Sequence, residues 1–133
     1  TGLLLLTNDG ELAFRLTRPR FEVTKGYQVL VQGIPTAESM QKFRRGIMLD
    51  EGRTSPAQAK ITSVKRGKAM LSISLHEGKK RQIKRMCLAL GYPVVALKRV
   101  SFAFLTLQGL PPYAFRALAA REIDGLYSLA KLE

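Results

Sequence analysis

The chain has 133 residues, of which 46% are hydrophobic, enough for one compact domain with its own core and too apolar for a disordered tail. Lys and Arg number 22 against 10 acids, a net charge of +12 that suits a polyanion such as nucleic acid. No run approaches the roughly 18 apolar residues of a membrane span, and Cys87 and His76, the only Cys and His, exclude a disulfide and a four-ligand Cys/His zinc site. A reducing, cytoplasmic setting is the simplest reading.

In chain order, Gly2 to Leu6 reads as a buried strand that starts almost at the first residue. Leu3 to Leu6 is too short for a signal peptide and has no basic flank. Asn8 with Glu11 has the form of a capping box, and a short helix should follow with Leu12 and Leu16 on its core side. Pro19 prevents its continuation. In VTKGYQVLVQG, alternation puts Tyr27, Val29 and Val31 on one face of a strand.

IPTAESMQKFRRG predicts a helix capped by Thr36, with Glu38 in its first turn, Arg44 and Arg45 in its last and Gly46 as its stop. Its buried face is expected to be Ala37, Met40 and Phe43. AQAKITSVKRGKAMLSISLHEG reads as a hairpin turning near Arg66–Gly67, with Ala69, Leu71, Ile73 and Leu75 toward the core. A helix through KKRQIKRMCLAL stops at Gly91, and the strand PVVALKRVSFAF follows. Leu110 to Tyr113 is a loop, and a last helix covers roughly Ala119 to Leu129. Strands outnumber helices, so the fold class is α+β with a mixed, mainly antiparallel sheet and flanking helices.

HEGKKRQIKRM concentrates the charge. On a helix, Ile83, Met86, Cys87 and Leu90 form one apolar stripe. Lys80 and Lys84 flank it, and Arg81 and Arg85 lie on the far side. Like charges four apart oppose the helix slightly, so anions to bind are one reading of their presence; a solvated basic face is the other. Arg81 and Arg85 suit phosphates. Lys84, at the edge of the stripe, can lean into a cleft and pair with a buried carboxylate. Gly78 leaves room for a close approach.

Tyr27 is either a core tyrosine or a ring on which a base stacks. His76 has no triad spacing and reads as a strand-end residue. Cys87 lies on the buried stripe, where packing suits it better than nucleophilic work. Asp9, Asp50 and Asp124 fall in turns or on a surface-like helix. On residues alone, the chain binds nucleic acid and shows no obvious catalytic centre.

Four stretches in order, TGLLLLTNDGELAFRLTRPR, KGYQVLVQG, LHEGKKRQIKRMCLALGYPV and LKRVSF, resemble the rRNA pseudouridine synthases of the RsuA/RluB type over essentially the whole chain. The resemblance implies isomerisation of a uridine in ribosomal RNA, with neither metal nor organic cofactor. A Gly-Arg-Leu-Asp motif in that family carries the catalytic aspartate and would fall a few residues before Thr1. A small S4-like RNA-binding domain often stands further upstream.

The single domain 1–133 is then most of a catalytic domain, inactive by itself without that aspartate. Tyr27 matches the tyrosine that stacks on the target base, Lys84 the basic partner of the aspartate, and Leu75 an apolar residue of the pocket. Lys79, Lys80, Arg81 and Arg85 would contact RNA, with Arg15, Arg18, Arg20 and Lys25 as helpers at the other rim. The implied partner is ribosomal RNA or a pre-ribosomal particle, met by a monomer away from membranes. A non-catalytic rRNA-binding or ribosome-assembly module is the alternative. Ala103 and Ala114 stand where the family commonly has glycine, and Lys80 where it has asparagine.

Overall fold

The structure, a computed structural model, describes residues 2–18, 23–79 and 81–131. Its elements in chain order are α1 (Gly10–Leu16), β1 (Lys25–Gln32), α2 (Ala37–Arg45), β2 (Met48–Leu49), β3 (Gly52–Arg53), β4 (Gln58–Lys65), β5 (Lys68–Leu75), α3 (Gln82–Ala89), β6 (Val94–Phe102), β7 (Leu105–Thr106) and α4 (Ala120–Leu129).

An antiparallel five-stranded sheet, ordered β4-β5-β1-β6-β7, forms the centre. Its register follows the period of two. Val29 faces Leu71 on one side and Leu97 on the other, and Tyr27 faces Ile73 and Arg99. The β4–β5 hairpin turns at Arg66 and Gly67, both with positive φ (54° and 75°), as a two-residue I′ turn requires.

Two apolar clusters hold the molecule together. In the first, Val29, Val31, Leu71 and Ile73 pack with Met40 and Phe43 of α2 and with Ile83, Met86 and Cys87 of α3. Burying a side chain such as Phe43 fully contributes about 1.5–3 kcal/mol. In the second, Leu12 and Leu16 of α1 meet Leu126 and Ala130 at α4, with Phe102 and Leu105 beneath. Arg44 Nε ties α2 to β4 by donating to the Ala59 carbonyl at 2.7 Å.

Several local expectations change. Residues 2–6 are not a strand. They make one parallel bridge, Gly2 to Arg99, and Leu4 and Leu6 are 70% and 81% exposed. Only Leu3 and Leu5 reach the second cluster, so alternate side chains are half-buried without a ladder.

The cap of α1 is Asp9, whose carboxylate accepts from the Leu12 N–H at 3.0 Å and from the Tyr127 hydroxyl. A capping box on Asp9 would need a carboxylate at position 12, which is leucine; Glu11 pairs instead with Arg15 one turn on. Ala37 is exposed, because Met40 and Phe43 already define the buried face of α2. The strands β2, β3 and β7 are each two residues, too short for a period to show.

The basic helix begins only at Gln82. Arg81 is its N-cap in a left-handed conformation (φ 53°, ψ 34°), so Arg81 and Arg85 do not both stand on the helix. Arg20 and Lys80 lie outside the described residues.

Candidate active-site cleft

Tyr27 owes its place to its neighbours on β1. The register against β6 shifts between Gly26 and Tyr27. Gly26 has no room for a side chain, since a Cβ there would lie 2.3 Å from the Ser101 hydroxyl oxygen. The ring beyond it packs half-buried on the first cluster. Lys84 sits between the buried positions Ile83 and Met86, so the stripe that docks α3 leaves Lys84 half-buried at its margin.

These two side chains, with Leu97, form the wall shared by two lobes of one cleft. The larger lobe, about 530 Å³, is completed by Gly2, Leu3, Leu4, Arg99 and the Val94–Ala96 edge of β6. The smaller, about 260 Å³, is completed by Leu75 and the 77–83 turn. Tyr27, Lys84 and Leu75 therefore come together, and Lys79 and Arg81 join them on the smaller lobe.

Charge in the larger lobe is cationic only, from Lys84 and Arg99. Lys84 has no ion pair or hydrogen bond among the described residues. In the smaller lobe Glu77 is fully engaged. It accepts from the Ser55 N–H at 2.7 Å, the Ser55 hydroxyl at 3.1 Å and the Gln82 amide at 2.9 Å. Burial pushes the Glu77 carboxyl up, but these donors outweigh it and hold the group below the usual carboxylate range. Gln82, 4% exposed, accepts in turn from the Lys79 N–H at 3.0 Å. The Glu77–Gln82 pair thus shapes the turn that carries Lys79 and Arg81.

Residue-by-residue reading did not single out this pair. The signal was present: Glu77 is the one carboxylate between Glu51 and Glu122 in an otherwise basic stretch. Arg99, also not singled out, donates from Nε and a terminal nitrogen to the Leu3 carbonyl and so fixes the segment entering the larger lobe.

The remaining cations are placed unequally. Lys25 is half-buried, with its Nζ against Gly78, where a Cβ would lie 3.2 Å away. The room at Gly78 is thus used by Lys25. Burial, then the nearby Arg99 charge, push the Lys25 ammonium below the ordinary lysine range, partly opposed by Glu77. Arg85 forks onto Glu51 with two bonds of 2.6 Å. Arg15 donates to the Ala130 and Lys131 carbonyls at the end of α4, and Arg18 stacks 3.9 Å over the Phe14 ring. Arg15 and Arg85 thus have intramolecular partners, and neither they nor Arg18 line this cleft.

Cys87 is buried, which pushes its thiol up to about 12 and suits packing over nucleophilic chemistry. Among the described residues no cluster of three His, Cys, Asp or Glu could hold a metal ion. No helix among them is long and apolar enough to cross a membrane.

A family model described as RNA pseudouridylate synthase matches residues 1–89. Ribosomal large subunit pseudouridine synthase B of Bacillus subtilis is 46% identical over 98% of this chain and 54% of its own length. Ribosomal large subunit pseudouridine synthase E of Xanthomonas axonopodis is 40% identical over 89% of this chain and 70% of its own length. A crystal structure of a pseudouridylate synthase superposes with a TM-score of 0.86 at 31% identity, covering 95% of this chain and 54% of that one. The chain thus spans about half the length of several relatives it matches. A family model matched over residues 1–89, 46% identity along 98% of the chain and a closely superposing sheet have one common explanation: the chain belongs to the RNA pseudouridylate synthase family.

Proposed function

We propose that this chain supplies most of the catalytic domain of an enzyme that isomerises a uridine of ribosomal RNA to pseudouridine. The observation that carries the reading is the joint placement of Tyr27 and Lys84 on the wall between the two lobes, where the Gly2–Leu4 segment arrives. The names of the relatives support ribosomal RNA as the substrate.

In this reading the target nucleotide is flipped out of the RNA to enter the cleft. The Tyr27 ring stacks on the base, and Leu75 and Leu97 keep the pocket dry. The base leaves C1′ of its ribose by cleavage of the bond to N1, turns, and rejoins C1′ through C5. The proton on C5 is then lost and N1 is protonated. The nucleophile would be the aspartate of the Gly-Arg-Leu-Asp motif that the family resemblance implies before residue 1: it would bond C1′ as N1 leaves and be displaced when C5 attacks, with Lys84 as its cationic partner. Lys84 suits that role because no carboxylate among the described residues occupies it, while Glu77 is held by Ser55 and Gln82. Lys79 and Arg81, at the mouth of the smaller lobe, meet the RNA backbone.

The cations Lys79, Arg81 and Lys84 on this cleft would equally serve a non-catalytic RNA-binding module, so that is the second reading. The test is to incubate the natural full-length protein with unmodified ribosomal RNA and with assembling particles, then assay pseudouridine. Formation at one uridine supports the enzyme; RNA binding without pseudouridine on either substrate supports the module. A natural reading frame without an aspartate upstream would also favour the module.

A further inference from the structure

We propose that the helix-free face of the central sheet is a second RNA-contacting surface, one that holds the backbone of a duplex. The proposal rests on the reading that the substrate is RNA, but concerns the face opposite the helices α2 and α3.

None of the strands β1, β4, β5, β6 and β7 contains an aspartate or glutamate. Their residues that alternate with the buried core positions form cross-strand rows on the open face. Lys60 pairs with Ser72, Ser72 with Gln28, and Gln28 with Lys98. The two lysines therefore end one row, three strand spacings or about 14 Å apart, with neutral hydrogen-bonding side chains between them. Nearer the hairpin, Lys65 lies directly opposite Lys68. None of these four lysines has an ion pair among the described residues. Like charges directly opposite destabilise a sheet, and a bound polyanion removes that cost.

The occupant follows from what the face offers. Its residues on these rows include no aromatic ring, so the stacking platform that single strands use is missing. Its apolar part is confined to Leu30, Met70 and Ala96, without the aromatic anchors of a protein interface. Spaced cations with serine and glutamine between them suit phosphates and 2′-hydroxyls, which is how duplex RNA is recognised.

The test uses the natural full-length protein and the double variant Lys60→Gln/Lys98→Gln. A blunt RNA duplex of about 16 base pairs and a single strand of the same length are titrated between roughly 50 and 200 mM salt. The expected result is a duplex affinity lowered about tenfold, a salt slope reduced by roughly two, and unchanged single-strand binding. Unchanged duplex affinity and slope would overturn the proposal, as would equal losses on both probes. Lys65→Gln/Lys68→Gln, at the exposed hairpin end, supplies an independent pair should the first variant fold poorly. Pseudouridine formation by the wild type is assayed in parallel: its failure counts against the proposed activity, whereas the duplex titration judges this surface.

Discussion

The Arg99 guanidinium donates to the Leu3 carbonyl twice, from Nε at 2.9 Å and from a terminal nitrogen at 2.6 Å, while the Leu3 N–H donates back to the Arg99 carbonyl at 2.7 Å. This exchange fixes the segment entering the cleft although no strand forms there. Gly2 makes it possible: its φ is +117°, and a Cβ would meet the Arg99 backbone N and O at 2.5 Å. Gly2→Ala should therefore release the segment, at a local cost of about 1–3 kcal/mol. Hydrogen exchange at the Leu3 amide reads it; protection equal to wild type would show that the bridge is not anchored by this contact.

The Arg85–Glu51 fork sets a pH dependence. The Arg85 hydrogen bonds hold the Glu51 carboxyl down at about 2, against an ordinary 4.5. A carboxyl depressed in the folded state stabilises fully above its unfolded value and loses that contribution as pH falls from about 4.5 toward about 2. Glu51→Gln should lower the thermal midpoint at neutral pH, with the two proteins converging across that window. Both side chains are partly exposed, so salt should shrink the difference. A gap that stays constant down to the acid limit would remove the ion pair as its source.

Arg81 separates binding from stability. As a non-glycine residue at φ 53° it carries left-handed strain. Arg81→Gly should raise stability by about 0.5–1 kcal/mol while weakening RNA binding and lowering its salt slope by roughly one. Chemical denaturation and an RNA titration check the two halves. A variant that binds RNA as wild type does would take Arg81 out of the interface.

Much of the cleft's geometry was legible because its signals are local. Alternation put Tyr27 with Val29, and the stripe Ile83–Met86–Cys87 put Lys84 at its margin. Arg81 and Arg85 were harder. Their four-residue spacing implied one shared helix, but Gln82 turns back to Glu77 and the Lys79 N–H, which delays the helix start. The partner of Arg85, Glu51, is 34 positions away on a hairpin too short to show a period. Leucine-rich residues 2–6 imitate a strand, yet pairing depends on what stands alongside, which local composition does not encode.

Ala103 carries the same left-handed strain: its φ is 55° while its N–H bonds the Thr24 carbonyl at 2.7 Å. Ala103→Gly should stabilise the protein by about 0.5–1 kcal/mol, read as a higher denaturation midpoint with unchanged slope. A lower midpoint would mean that the side chain's contact with the second cluster outweighs the strain.

The most direct test of the central claim is single-turnover pseudouridine formation by the natural full-length protein and its Lys84→Met variant, with RNA affinity measured on the same samples. Methionine keeps the length and packing of the side chain but removes the charge. The account expects turnover to fall by about two orders of magnitude or more while affinity changes by less than about tenfold. Turnover that holds while affinity drops would contradict it, reducing Lys84 to a phosphate contact and leaving the cleft without its proposed chemistry.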